Sequence, residues 1–311
     1  MFLSLRLSLR SFAHSAPIIG VLLAALALGG CSAARLGYNN SPTLVYWWLD
    51  SYFDFNDAQS LRVRNDLQAL QDWHRTKEVP QLAQKLNELQ TMAPKQVSSE
   101  QVCAIVSELQ TRVQVTLERV TPTIAALAPG LQNAQLEHMS QEFERRNRKW
   151  QDEWIAGTPT ERAERRVKQL VDRAESFYGT LNNGQMAVVR AHIANSSFDG
   201  PRQFQETQRR QKDALQVLRK VCAGEIPPTQ TGAQVRGLLE RTFKAPDPAY
   251  RRYLEQITTE GCAAMAALHN ASTPEQRTRL VQTLQGYEGD ARALAAQRNE
   301  DAPADQPPSA M

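Results

Sequence analysis

Histidines are the side chains of this 311-residue chain with the broadest capacity for chemistry, because they act as acids, bases or metal ligands near neutral pH. Those beyond the N-terminal 30 residues are His74, His138, His192 and His269. They show no HxxH or HExxH spacing, and the sequence has no GxSxG, no P-loop and no glycine-rich dinucleotide motif. The sequence therefore predicts a protein that is not an enzyme and that holds no cofactor and no metal.

The run Trp73-His74-Arg75 is the strongest candidate for a binding site. Trp73 continues an apolar stripe, so we expect it to pack in the core. His74 and Arg75 lie at the C-terminal end of the same predicted helix, where positive side chains complement the helix dipole. We favour capping and packing for these two residues. The alternative is that they bind an acidic group, and catalysis there requires a carboxylate or nucleophile brought near.

The first 30 residues have the features of a secretory signal peptide. Two arginines and no acidic residue come first, an apolar run covers about residues 16–28, and two glycines precede Cys31. Removal of this segment takes Lys+Arg from 36 to 34 and leaves Asp+Glu at 33, so the remaining net charge is near +1. A near-neutral chain gives no reason to predict nucleic-acid binding.

The stretch Leu28-Gly29-Gly30-Cys31 resembles the bacterial lipobox, in which a peptidase cuts before a cysteine that is then acylated. The resemblance implies a palmitate-bearing lipoprotein with Cys31 as the lipidation site. Two or three acyl chains make membrane attachment stable. Because Ser32 rather than an aspartate follows the cysteine, the resemblance also implies the outer membrane, with the protein facing the periplasm.

The segment from Tyr38 to Gln59 holds seven aromatic side chains. Trp47 and Trp48 are adjacent, so they must point to different faces of a helix, and one ring at least should be partly exposed. We expect one of them to pack at the end of the core. An exposed ring about ten residues from the lipid could instead lie at headgroup level or bind a partner, although Asp50 and Asp54 oppose deep insertion.

Apolar residues recur three and four positions apart along the chain, and strand-like alternation is almost absent. We therefore predict an all-α fold, a single irregular array of about ten helices with no sheet. The predicted organisation is a lipoprotein signal peptide at 1–30, a lipidated tether at 31–41, one helical domain at 42–298 and a disordered tail at 299–311.

Five predicted helix starts carry a capping box, in which a cap side chain and a Gln or Glu three residues later each bond a free amide. These boxes are Asn56-x-x-Gln59, Ser98-x-x-Gln101, Thr158-x-x-Glu161, Asn182-x-x-Gln185 and Thr273-x-x-Gln276.

Three cysteines remain after Cys31, and in an oxidising periplasm they cannot all pair. Cys103 lies in the apolar run VCAIV, where we expect a buried thiol. Cys222 and Cys262 flank a loop-rich stretch, and we predict a disulfide between them, although spacing alone leaves other pairings open.

Most of the chain after the leader resembles a family of proteobacterial lipoproteins classified only as a domain of unknown function. The resemblance is carried by CSxxRLGYNN from Cys31, YWWLDSYFDFNDAQ, WHRTKEVP, ERAERRVKQL running into YGTLNNGQ, and TPEQRTRLVQTLQGY. It implies localisation and fold but supplies no activity and no catalytic residue.

A narrower resemblance links Phe55–Gln59, Leu181–Gln185 and Thr273–Leu280 to the Leu-Thr-x-x-Gln motif of small helical periplasmic stress chaperones. Those proteins hold unfolded clients on concave helical surfaces. In the last copy, Ser272 stands where the motif has leucine.

Our leading hypothesis is a lipid-anchored periplasmic helical protein that binds other envelope components, as a chaperone-like or assembly factor. One alternative is a periplasmic enzyme or small-ligand-binding protein with a pocket near Trp73, His74 and Arg75. Another is a purely structural spacer in the envelope.

Overall fold

The computed structural model of the protein describes residues 29–297. Over this range the chain forms twelve α-helices and one short 3₁₀ turn with no strand, which confirms the predicted all-α fold. The predicted signal peptide up to residue 28 and the predicted tail at 299–311 lie outside the described residues.

The helices follow one another with short connections. In chain order they are α1 (Gly29–Asn39), α2 (Ser41–Phe53), α3 (Asp57–Lys77), α4 (Val79–Met92), α5 (Ser99–Leu127), the 3₁₀ turn Ala128–Gly130, α6 (Asn133–Trp154), α7 (Pro159–Tyr178), α8 (Asn183–Asn195), α9 (Gly200–Cys222), α10 (Pro228–Phe243), α11 (Pro248–Asn270) and α12 (Pro274–Ala296).

Two main apolar clusters hold these helices together. The first is formed mainly by α7, α8, α11 and α12, around Val189 and Leu268. The second joins α6, α9 and the 3₁₀ turn, around Leu136, and aromatic rings from the end of α2 pack against it. The 29-residue α5 packs beside α10 and α11 and then leads into the 3₁₀ turn of the second cluster. Between its two ends, residues 109–115 are exposed around the whole helix.

All five predicted capping boxes form. In addition, four glutamines near helix starts form two hydrogen-bonded pairs, and each pair joins the starts of two helices. Gln185 Oε1 accepts a hydrogen bond from Gln276 Nε2 at 2.8 Å, which joins the starts of α8 and α12. Gln59 and Gln135 join α3 and α6 in the same way, with Gln135 Nε2 donating to Gln59 Oε1 at 2.8 Å. Gln135 Oε1 also accepts from the Gln132 amide at 2.9 Å, a capping contact that the sequence pattern does not reveal, because glutamine is an unusual cap residue.

The disulfide joins Cys103 to Cys262, with the two Cα atoms 5.4 Å apart. The predicted pair of Cys222 and Cys262 is therefore wrong, and so is the expectation of a Cys103 thiol. The physical reason is that α5 and α11 pack side by side, which brings together cysteines 159 residues apart in sequence. Cys222 is free and half-buried, and its thiol donates to the Ala128 carbonyl oxygen at 3.4 Å.

The segment predicted as a tether at 31–41 is largely the docked helix α1. Tyr38 packs against an apolar cluster that contains Val79 from α4 and Ala291 from α12. Arg35 Nε lies 3.0 Å from Asp290 Oδ1, and burial raises the pKa of Asp290 while Arg35 opposes that rise. The segment that follows Cys31 is thus fixed against the body of the protein.

Candidate functional site

A group of side chains that we call the docking cluster holds the end of α1 against α3. Its members are Tyr38, Asn39, Gln71, His74 and Arg75. Gln71 Nε2 donates to the Tyr38 carbonyl oxygen at 2.6 Å, and the Tyr38 hydroxyl lies 3.1 Å from His74 Nδ1. Arg75 Nη2 donates to Asn39 Oδ1 at 3.0 Å. His74 and Arg75 therefore position the chain that follows Cys31.

Arg75 is unusual for a buried cation, because its side chain is only 8% exposed and no carboxylate pairs with it among residues 29–297. Its partners are the amide oxygen of Asn39 and, at 3.4 Å, that of Gln297. Its guanidinium lies 5.6 Å from the centre of the Tyr38 ring, and its Nε has no hydrogen-bond partner in the described chain. The positive charge is thus spread over neutral acceptors and one aromatic ring.

The two titratable rings of the docking cluster are both affected by burial. Burial lowers the pKa of His74, so its imidazole is neutral at pH 7 and its Nδ1 can accept from the Tyr38 hydroxyl. Burial also raises the pKa of Tyr38, against the opposing charge of Arg75, which keeps the phenol protonated. The pair is therefore a neutral hydrogen bond at physiological pH.

Trp73 lies beside this cluster, with its ring centre 6.4 Å from that of His74 in an edge-on arrangement. It is half-buried, and the guanidinium of Arg119 on α5 lies 5.9 Å from its ring centre. Trp73 therefore also contacts α5, whereas His74 and Arg75 contact α1. Three surface depressions among residues 29–297 are lined by α12, by the junction of Pro94 with α12, and by α6 with α9. Trp73, His74 and Arg75 line none of these three depressions.

The aromatic segment places its rings differently from the expectation. Tyr46 is the buried ring, 6% exposed, with its hydroxyl 2.9 Å from Ser60 Oγ and the Arg64 guanidinium 3.5 Å above it. Trp47 and Trp48 are 59% and 53% exposed, so the expectation that one of them packs in the core is wrong. The rotation of α2 about its own axis explains why both tryptophans are exposed. Tyr46 points toward α3, and the tryptophans next to it in sequence then point outward.

The exposed tryptophans belong to a longer surface that we call the apolar stripe. It consists of Leu36 on α1 and Leu44, Val45, Trp47 and Trp48 on α2, all of them exposed. The Asn40 amide donates to the Leu36 carbonyl and the Leu44 amide donates to the Asn40 carbonyl, both at 3.1 Å, so helical bonding bridges α1 and α2. No charged residue occurs from Leu36 to Leu49. The stripe begins five residues after Cys31.

A second exposed apolar surface, which we call the α5 face, lies on α4 and α5. It consists of Leu82 on α4 and Leu109 and Val113 on α5. Val115 is exposed too, on another side of α5. Long side chains bridge the two helices near this surface: Lys85 Nζ lies 2.7 Å from Glu108 Oε2, and Arg112 Nη1 lies 3.7 Å from Glu78 Oε2. The apolar groups of this segment thus lack the packing partner that a core helix has.

A buried histidine network was not predicted from the sequence. His269 Nε2 lies 2.8 Å from the Lys95 carbonyl and must donate to it, so Nδ1, 2.8 Å from the Tyr178 hydroxyl, accepts. Burial lowers the pKa of His269 and raises the pKa of Tyr178 to about 12. Both groups are neutral and enclosed. Their hydrogen bonds tie α7 and α11 to Lys95 in the segment that follows α4.

Among residues 29–297, no three His, Cys, Asp or Glu side chains are placed to hold a metal ion. Within the same range, no helix has both the length and the apolar character needed to cross a membrane.

One family model matches residues 51–228, more than half of the chain, and it describes a family of unknown function (DUF6279). Comparison with curated proteins and with solved structures gives no significant match. The matched range runs from the end of α2 to the start of α10 and includes Trp73, His74 and Arg75. The chain therefore belongs to the DUF6279 family, whose function is unknown.

Proposed function

We propose that this is a lipoprotein of the outer membrane, anchored through acylated Cys31, whose helical body in the periplasm binds another envelope protein as an assembly factor or chaperone. The lipobox stretch Leu28-Gly29-Gly30-Cys31 supports the anchoring half.

The α5 face is the observation that carries the binding half of the proposal. Residues 109–115 cover about two turns of helix, and none of them is buried by the rest of the chain. Leu109 and Val113 are four residues apart and share one side of α5, which is the spacing by which a helix presents apolar groups to a partner. Isolated surface leucines are ordinary, whereas several on adjacent turns mark interaction sites.

The glutamines of the chaperone-like motif have a different role in this proposal. Gln59, Gln185 and Gln276 take part in the hydrogen-bonded pairs between helix starts, and Gln59 and Gln185 are buried. Side chains in such positions stabilise the fold and cannot reach a client. Client binding is therefore assigned to exposed apolar groups, and the motif resemblance is explained by packing.

Aggregation of an unfolded outer-membrane protein tests the binding half. The acylated protein is held in nanodiscs, and light scattering is recorded at near-stoichiometric ratios with empty nanodiscs as the blank. We expect suppression of scattering by the wild type and its loss in Leu109→Gln/Val113→Gln. Leu61→Gln is the matched control, since Leu61 is an exposed leucine on α3 outside the α5 face. A wild type that fails to suppress, or a double variant equal to the wild type, contradicts the binding half.

Labelling of cells with radioactive palmitate tests the anchoring half. Label should enter the wild type and disappear in Cys31→Ser. A wild-type chain that takes up no label contradicts anchoring, whatever the scattering assay shows.

A further inference from the structure

We propose that the apolar stripe lies on the surface of the phospholipid bilayer, so that the protein is held in one fixed orientation rather than swinging on a flexible tether. This inference rests on the proposed anchoring through Cys31. It assigns Leu36, Leu44, Trp47 and Trp48 to the level of the lipid headgroups.

The first argument is that the chain has no slack between the attachment point and the body. Arg35 is paired with Asp290 of α12, and the docking cluster holds Tyr38 and Asn39 against α3. Only three residues separate Cys31 from Arg35. A lipid on Cys31 therefore pulls the start of α1, and everything bonded to it, onto the membrane.

The second argument is geometric. Trp47 lies sixteen positions after Cys31, and at 1.5 Å per residue this is a path of about 24 Å along α1 and α2. Helical hydrogen bonds across Asn40 join the two helices. In a continuous helix, Leu36 and Trp47 are eleven residues apart and lie about 20° from each other around the axis, which places them on one side. The stripe thus extends from the attachment point along one face.

The third argument is composition. Tryptophan is favoured at membrane interfaces because its ring is apolar and its N–H is polar, and an interfacial helix buries its apolar face about 5–10 Å into the headgroup region. The stripe joins two adjacent exposed tryptophans with Leu36, Leu44 and Val45, and the uncharged run from Leu36 to Leu49 matches that environment.

The acidic residues after the stripe set its limit. Asp50 turns back and accepts a hydrogen bond from the Phe55 amide at 3.0 Å, so its carboxylate is occupied within the fold. Asp54 ends α2 in the left-handed conformation with φ 47° and is exposed. The membrane contact therefore stops at about Ser51, and the rest of the body lies away from the bilayer.

Quenching of tryptophan fluorescence by brominated lipid tests the inference. The full-length acylated protein is reconstituted into vesicles of phosphatidylethanolamine and phosphatidylglycerol, with and without dibrominated acyl chains. We expect strong quenching in the wild type and loss of most of it in Trp47→Phe/Trp48→Phe. The matched control Trp150→Phe/Trp154→Phe removes two half-buried rings of α6 and should leave the quenching unchanged.

Flotation of the vesicles separates the outcomes. Acylated protein that floats with the vesicles but shows no bromine-dependent quenching overturns the inference and leaves the anchoring intact. Unacylated Cys31→Ser protein whose fluorescence is still quenched through Trp47 and Trp48 supports the inference without the anchor. If neither form is quenched, or if the double phenylalanine variant is quenched like the wild type, the stripe does not lie on the bilayer.

Discussion

The two glutamine pairs are similar in bonding, yet they join different parts of the molecule. Gln185 is 0% exposed and lies in the first apolar cluster, where its Nε2 also donates to the Leu268 carbonyl at 3.4 Å. Gln135 lies at the edge of the second cluster, and its Nε2 donates to the carbonyls of Phe53 and Asp54 at 3.0 and 3.1 Å. The first arrangement ties together the core, whereas the second closes the end of α2.

The box at Gln101 shows what the motif does without a partner. Its side chain accepts from the Ser98 amide at 2.9 Å, but it is exposed and bonds to no other helix start among the described residues. A capping box is therefore a local device, and burial and pairing convert it into a tertiary contact.

The largest predicted effect is that of Gln185→Ala. The change leaves the Asn182 amide and the Leu268 carbonyl without partners in a dry site, which we expect to cost roughly 2–4 kcal/mol of unfolding free energy. Gln101→Ala, which removes the same capping bond at an exposed site, should cost only about 0.5–1 kcal/mol. Urea denaturation measures both. Equal losses in the two variants contradict the role of burial.

Gln135→Ala should have an intermediate effect, about 1–3 kcal/mol, because its neighbours lie nearer to solvent and water can replace part of the lost bonding. It should also loosen the end of α2, since the carbonyls of Phe53 and Asp54 lose their donor. Hydrogen exchange of α2 amides reports this loosening. Gln185→Ala is the comparison, and faster exchange of α2 in that variant as well contradicts the separation of the two pairs.

Acid should destabilise the fold through the His269 network. Because burial lowers the pKa of His269, the unfolded chain binds more protons than the folded one below the ordinary histidine pKa near 6.5, so the unfolding free energy falls as pH decreases. The contribution of neutral His269 to the unfolding free energy is complete above pH 6.5. It is lost as the pH falls toward the lowered pKa of His269 in the folded protein. Urea denaturation of the wild type and His269→Gln from pH 7.5 to 5 measures the slope. The slope should be shallower but not absent in the variant, because burial also lowers the pKa of His74 and His192.

The all-α fold and five of the box starts could be predicted because both are local patterns, set by spacing of apolar residues and by caps three residues from their partners. The disulfide could not, because α5 and α11 meet only through tertiary packing. The direction of Trp47 and Trp48 was missed because Tyr46 competes for the same buried place, and sequence alone does not show which ring a neighbouring helix selects.

The docking cluster shows the same limit. The sequence predicts the helix-end position of His74 and Arg75. It does not predict their contact with Tyr38 and Asn39, because those two residues lie in the segment predicted as a tether. The only signal was indirect: the YNN of the segment after Cys31 offers hydroxyl and amide groups that an exposed tether does not need.

The smallest predicted effect on global stability is that of Arg75→Met. The change removes a buried charge with no carboxylate partner, so the unfolding free energy should shift by less than about 1 kcal/mol. Its local effect should be larger, because Asn39 loses its donor and α1 then detaches more often from α3. Hydrogen exchange of α1 amides should therefore accelerate in Arg75→Met and stay unchanged in Arg112→Met, which alters an exposed arginine on α5. Unchanged exchange of α1 in Arg75→Met would mean that Arg75 does not dock the helix, and its burial would then need a different explanation, such as a ligand with an acidic group.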